Sequence, residues 1–132
     1  MVRLNKTSLN NHQLEKLFKQ FSTTLGKANE PEVDRLISGL LGHEERIMIS
    51  KRLGAILLLQ QELRPYTIAQ ILKMSPTTVG KIQTDLLAGN YESALKVIKK
   101  DRKSYQAILQ TIDSILTVGG IMPHYGQKPK NV

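Results

Sequence analysis

Residues Tyr66–Leu87 read YTIAQILKMSPTTVGKIQTDLL, and this stretch decides the fold. Ile68, Ala69, Ile71 and Leu72 give a first short helix an apolar stripe. Ser75 followed by Pro76 is a helix start: a hydroxyl that caps orphan N–H groups, then a proline at the first helical position. Val79, Ile82 and Leu86 recur at i, i+3 and i+7 and form the inner face of a second helix. Its opposite face carries Thr77, Gly80, Lys81 and Thr84. That face is short, polar and positive, and it suits a base edge or a phosphate better than a protein core. Helix, tight break, helix is the order of a helix-turn-helix, placed here at about residues 66–88.

Three positions support that reading and one departs from it. Ala69 is small where the two helices must cross closely, and Val79 and Ile82 fall where the second helix packs on the first. The turn position usually taken by glycine is Lys73, for which a left-handed backbone carries a cost. The alternative is an ordinary helical hairpin inside a bundle, with Ser75-Pro76 as a routine cap. On the helix-turn-helix reading, Thr77, Lys81 and Thr84 are candidates for base edges, with Thr78 beside them. Lys81 is the one suited to a guanine. Thr67, Gln70, Lys73, Ser75 and Arg64 would hold phosphates and set register. Gly80 would admit close approach of backbone to DNA; the alternatives are a tolerated glycine or close packing between helices.

Charge points the same way. The chain of 132 residues carries a formal net charge of +8 with a pI of about 9.8. Residues 1–62 hold nine Lys/Arg against seven Asp/Glu, and residues 63–132 hold ten against four. The basic excess sits in the half of the chain that begins with the helix-turn-helix, and a polyanion is its simplest partner. Lys96, Lys99, Lys100, Arg102 and Lys103 form a second basic cluster. Helical spacing puts Lys96, Lys99, Lys100 and Lys103 on one face, either flanking DNA or simply solvated. Cysteine is absent, which removes disulfides and thiolate chemistry and fits a reducing cytoplasm. The N-terminal MVRLNKTSLNN has no apolar core of a secretory signal, and the apolar run Ala55 to Leu59 is too short for a bilayer.

The rest of the chain reads as helix, with no segment of period two. One helix is expected from about Thr7 to Leu25 on Leu14, Leu17, Phe18, Phe21 and Leu25, ended by Gly26-Lys27. A second opens at Pro31 and carries Val33, Leu36, Ile37, Leu40 and Leu41, with Gly42 just past its end. A third runs from about His43 to Glu62. After a break at Gly89-Asn90, Tyr91, Ala94, Leu95 and Ile98 mark a further helix. Tyr105, Ile108, Leu109, Ile112 and Leu116 mark the last, stopping at Gly119-Gly120. The expectation is an all-α fold of about six to seven helices: one domain over residues 1–120 and a flexible tail over 121–132. The third helix is apolar all round from Leu53 to Leu59, so it must be covered all round. Either a partner subunit covers it, in an obligate homodimer, or its own chain does.

The window GHEERIMISKRLGAILLLQQELRPYTIAQILKMSPTTVGKIQTDL, from Gly42 to Leu86, resembles the core of the Trp repressor family. The features that carry the resemblance are Glu45-Arg46, Lys51-Arg52-Leu53, the aliphatic run to Leu59 and the helix-turn-helix. Residues 14–41 agree in pattern, and the segment after Asn90 is longer than in the repressor itself. The resemblance implies an intertwined helical dimer with two reading heads one turn of DNA apart. It implies a sequence-specific transcriptional repressor of double-stranded DNA. It also implies a small-molecule corepressor held between Arg52 and the position of Lys81. Here the chain departs: Lys81 replaces an arginine, Ile82 a small glycine, Asp85 a serine and Gly42 a threonine. A lysine has no flat fork to stack on an indole ring, and isoleucine fills the slot, which argues against tryptophan. Either an unidentified small molecule binds, or the reading heads are fixed and no effector is needed.

Catalysis has little support. His12, His43 and His124 are scattered, and His43-Glu44-Glu45-Arg46 lacks the second histidine of a zinc helix. A GxxxxGK[ST] phosphate loop is absent. The competing reading is a helical dimer that serves as a protein-interaction module. It draws on the low charge of the second helix of the helix-turn-helix, with one lysine, Lys81, and one aspartate, Asp85.

Overall fold

The computed structural model describes residues 10–118. They form seven helices and, among the described residues, no strand: α1 (Asn11–Lys27), α2 (Glu30–Leu40), α3 (His43–Gln60), α4 (Pro65–Leu72), α5 (Pro76–Leu87), α6 (Glu92–Lys100) and α7 (Arg102–Val118). The all-α class and the helix number follow the periodicity of the sequence. The expected start at Thr7, the stop at Gly119-Gly120 and the 121–132 tail lie outside the described residues. The chain forms two compact units, one ending at Arg46 and one beginning at Ile47.

In the first unit the helix boundaries are set by caps rather than by glycine and proline. The Asn10 side chain accepts from the Gln13 N–H at 2.8 Å, and the Gln13 side chain accepts from the Asn10 N–H at 3.1 Å. This reciprocal pair starts α1 at Asn11. Asn29 and Glu32 repeat the arrangement at 3.0 and 2.9 Å, so α2 starts at Glu30, one residue before Pro31. The second pair also corrects the expected end of α1. Asn29 can cap only from an extended backbone, so the chain leaves the helix at Ala28 and keeps Gly26 and Lys27 helical. Leu41, expected on the α2 face, is instead its extended C-cap. Neither α1 nor α2 has a buried residue. Leu14, Leu17, Phe18 and Leu40 stay exposed, and an apolar groove is lined by Leu14, Leu17, Phe18, Phe21 and Leu40.

The second unit holds the core. Residues Gly54–Leu59 of α3 are all buried, and the chain itself covers them. Ile68, Ala69 and Leu72 of α4, Val79 and Ile82 of α5, Leu95 of α6, and Ile112 and Leu116 of α7 complete the cluster. A second chain is not needed to cover this run, and here the alternative of cover by the chain itself holds. The physical reason is the segment after Asn90, which supplies three of the covering side chains. Side chains of α4 and α7 lie directly over Gly54: a β-carbon there would be at ordinary contact distance, 3.4 Å from Leu72 Cδ1 and 3.9 Å from Ile112 Cδ1. Further toward its N-terminus α3 is uncovered, with Ile47, Met48 and Ile49 exposed.

Two other boundaries differ from expectation. α3 ends at Gln60 rather than Glu62, because Glu62 takes a left-handed backbone at φ 68°. Pro65, expected to close a connection, is the first residue of α4, where its missing N–H costs nothing. Gly89, at φ 84°, makes the predicted break after α5. Lys103 does not share a helix with Lys96, Lys99 and Lys100. Asp101 adopts an extended backbone and separates α6 from α7. Its carboxylate accepts from the Ser104 N–H at 2.9 Å, which starts α7. The Ser104 side-chain and backbone hydrogen bonds hold the Asp101 carboxyl below the ordinary carboxylate range. Their contribution is therefore present at neutral pH and is lost as pH falls through that lowered pKa.

Candidate nucleic-acid interface

The helix-turn-helix is built from α4, the three residues Lys73 to Ser75, and α5. The Ser75 Oγ accepts from the Thr78 N–H at 3.0 Å and lies 3.0 Å from the Thr78 hydroxyl. Those bonds cap α5 and hold Pro76 in the first turn. Val79 and Ile82 are buried against α4, whose Ala69 is also buried. A small residue at Ala69 is what lets the two helices cross there.

Lys73 departs in residue type but not in geometry. It adopts φ 58° and ψ 53°, the left-handed conformation that the turn needs. For an L-residue with a β-carbon that conformation costs about 1–2 kcal/mol. Two contacts hold it. The Met74 N–H donates to the Ala69 carbonyl at 2.9 Å. The Lys51 ammonium, from α3, donates to the Lys73 carbonyl at 2.9 Å. Sequence reasoning missed Lys51 as a contributor, since no periodicity links positions so far apart in the chain.

The outward face of α5 is a ridge. Thr77, Lys81 and Thr84 are exposed, at i, i+4 and i+7, with half-buried Gly80 between them. The Thr84 hydroxyl donates to the Gly80 carbonyl at 3.1 Å, which leaves its lone pairs facing outward as acceptors. The Lys81 side chain is 78% exposed and lies 3.7 Å from Asp85. An exposed pair of this kind contributes only about 0–1 kcal/mol and does not withhold Lys81 from a stronger acceptor. Arg64, at the start of α4, and Gln70, Lys73 and Ser75, toward the turn, are exposed, and Thr67 is half-buried. Thr78 is half-buried beside the Ser75 cap.

Among the described residues no helix lies against Gly80. A β-carbon built there meets nothing within 4 Å, so packing between the described helices does not explain it. Gly80→Ala is therefore expected to stabilise the fold, by about 0.5–1 kcal/mol in thermal or denaturant unfolding. If the backbone at this point approaches a duplex, the same substitution weakens DNA binding. Opposite signs in the two measurements identify the glycine as functional. Gains in stability with unchanged binding identify it as merely tolerated.

The residues expected at an effector site lie on two helices of the second unit. Arg52 of α3 and Lys81 of α5 are both exposed. Ile82, beside Lys81, is 3% exposed and belongs to the core. No group of histidine, cysteine or carboxylate side chains among the described residues is arranged to hold a metal ion. Among them, too, no helix is long and apolar enough to cross a membrane. Comparison with protein-family models, with curated proteins and with solved structures finds no match.

Proposed function

We propose that this chain is a sequence-specific regulator that binds double-stranded DNA as a homodimer, acting as a repressor of transcription. One observation carries the reading. The polar ridge Thr77–Gly80–Lys81–Thr84 faces outward on a capped, proline-started helix whose inner face, Val79 and Ile82, is locked into the core. Such a ridge inserts into a major groove with α5 entering N-terminus first. Lys81 reads a base edge, and Gln70, Lys73, Ser75 and Arg64 take phosphates. The similarity of residues 42–86 to the Trp repressor family supports the same assignment.

The homodimer is supported by what the chain leaves uncovered. α1 and α2 bury no side chain, and a helical segment of fewer than about 40 residues does not usually fold without further cover. Its exposed Leu14, Leu17, Phe18 and Leu40 supply an apolar surface for a second copy, and so do Ile47, Met48 and Ile49.

The test is binding to a random duplex pool over a salt series. A dimer making about 6–10 phosphate contacts loses on the order of a thousandfold or more in affinity between about 50 and 200 mM salt. Sequence selection from the same pool then gives the operator. Against it, Lys81→Ala should lose roughly 1–3 kcal/mol of discrimination at one base position. If Lys81→Ala binds every sequence as the parent does, Lys81 is not a reader. The competing module for protein partners draws support from exposed Tyr66 and Leu87 at the two ends of the helix-turn-helix. Absence of duplex binding at low salt selects it.

A further inference from the structure

A hydrogen bond to the turn of the helix-turn-helix comes from outside it. Lys51 sits on the scaffold helix α3, and its ammonium reaches the carbonyl of Lys73, 22 residues later, at 2.9 Å. Lys73 is the residue at which the chain reverses between α4 and α5, and it does so in a conformation unfavourable to its type. A return of Lys73 to the right-handed or extended region would swing α5 away from α4. Two side chains oppose that motion from within the unit, Val79 and Ile82, both buried. Lys51 opposes it at the hinge itself, with a charged donor on the carbonyl that moves when Lys73 rotates. Charge-assisted hydrogen bonds are about twice as strong as neutral ones. Lys51 is half-buried as a residue, and its ammonium serves the turn.

We propose that Lys51 is a positioning residue: its hydrogen bond to the Lys73 carbonyl pins the α4–α5 turn to α3 and holds the recognition helix in its reading attitude with no small-molecule effector. The inference rests on the DNA-binding reading and adds to it that binding is constitutive. Ile82, beside Lys81, is buried in the core and fixes α5 from its inner face.

The experiment uses the full chain, unfolded in denaturant, dialysed and refolded to remove any carried small molecule. Its first arm is amide hydrogen exchange without DNA. Lys51→Met keeps the aliphatic stem and removes the donor. In that variant the amides of Met74, Thr78 and Val79 should exchange about tenfold faster than in the parent, as expected for loss of a hydrogen bond from a charged group. Amides of Leu57 and Leu58 should be unchanged, and Lys51→Arg should restore protection. Unaltered exchange at Met74, Thr78 and Val79 overturns the proposal. So does acceleration at Leu57 and Leu58 to the same extent, which would make Lys51 a general stabiliser.

The second arm is affinity for the duplex selected from the random pool. The refolded parent should bind with nothing added, Lys51→Met about tenfold more weakly, and Lys51→Arg nearly as the parent. Binding by the parent that appears only after a small-molecule extract is supplied overturns the constitutive reading. A parent that binds no duplex under any condition speaks against the regulator itself. Amide exchange then decides the Lys51 lock alone.

Discussion

Leu116→Ala is expected to destabilise the second unit by about 2–5 kcal/mol. Leu116 is fully buried on α7, in the cluster that encloses Gly54–Leu59 of α3. Truncation removes three carbon atoms and leaves a cavity whose walls belong to several helices, so collapse is incomplete and the cavity term adds to the transfer term. The loss is large against the total stability of a single domain, about 5–15 kcal/mol. In urea the midpoint should fall with little change in slope, since the native state remains compact. Val97→Ala provides the control: Val97 is 72% exposed on α6, and a surface change of this kind stays within about 0.5 kcal/mol. A Leu116→Ala cost no larger than that of Val97→Ala would mean that α7 does not close the core. A partner chain would then be restored as the cover of α3.

That substitution also marks the limit of what local sequence carries. The aliphatic run Leu53–Leu59 announces total burial, and burial is what the fold has from Gly54 onward. Which element covers it is not legible, because hydrophobic periodicity names the buried face of α7 but not its neighbour. The α5 start is legible because Ser75-Pro76 combines a cap with a proline, two local signals that agree. At α1 and α2 the signals are equally local, Asn10-x-x-Gln13 and Asn29-x-x-Glu32. Gly26 and Pro31 are the more conspicuous residues there, yet the capping pairs win. A capping pair satisfies two orphan N–H groups, and a glycine near a helix end costs only about 1 kcal/mol. Asp101 is obscured for a similar reason: the lysine spacing puts Lys103 on the face of Lys96, Lys99 and Lys100, and a capping carboxylate ends that helix before it. For the candidate interface, the ridge Thr77–Lys81–Thr84 follows from the helical wheel once α5 is placed. The Lys51–Lys73 hydrogen bond follows from no local rule. It exists because α3 passes the turn at the right height, which is a property of the packed core.

Phe18→Asp is expected to dissociate the protein into monomers and to lower its affinity for a two-half-site duplex by about a hundredfold to ten-thousandfold, the range by which linked sites exceed single ones. Phe18 is 67% exposed in the single chain, its ring 6.3 Å from that of Phe21, and Leu17 beside it is 60% exposed. In a monomer, replacing so exposed a ring with a carboxylate would change stability by no more than about 0.5 kcal/mol. In a dimer that closes over Leu14, Leu17, Phe18 and Leu40, it buries an unpaired charge on each side of the interface, a cost of several kcal/mol. The two cases therefore separate by sign and size. Light scattering at micromolar concentration should give a dimer for the parent and a monomer for Phe18→Asp. The α5 ridge is untouched by the substitution, so binding to a single half-site should persist at the reduced affinity. Loss of both binding modes together would indicate that the first unit is needed for the second to fold. A parent that is already monomeric, with Phe18→Asp indistinguishable from it in stability and in DNA binding, would remove the homodimer from the proposal. The recognition helix would then act as a single reading head.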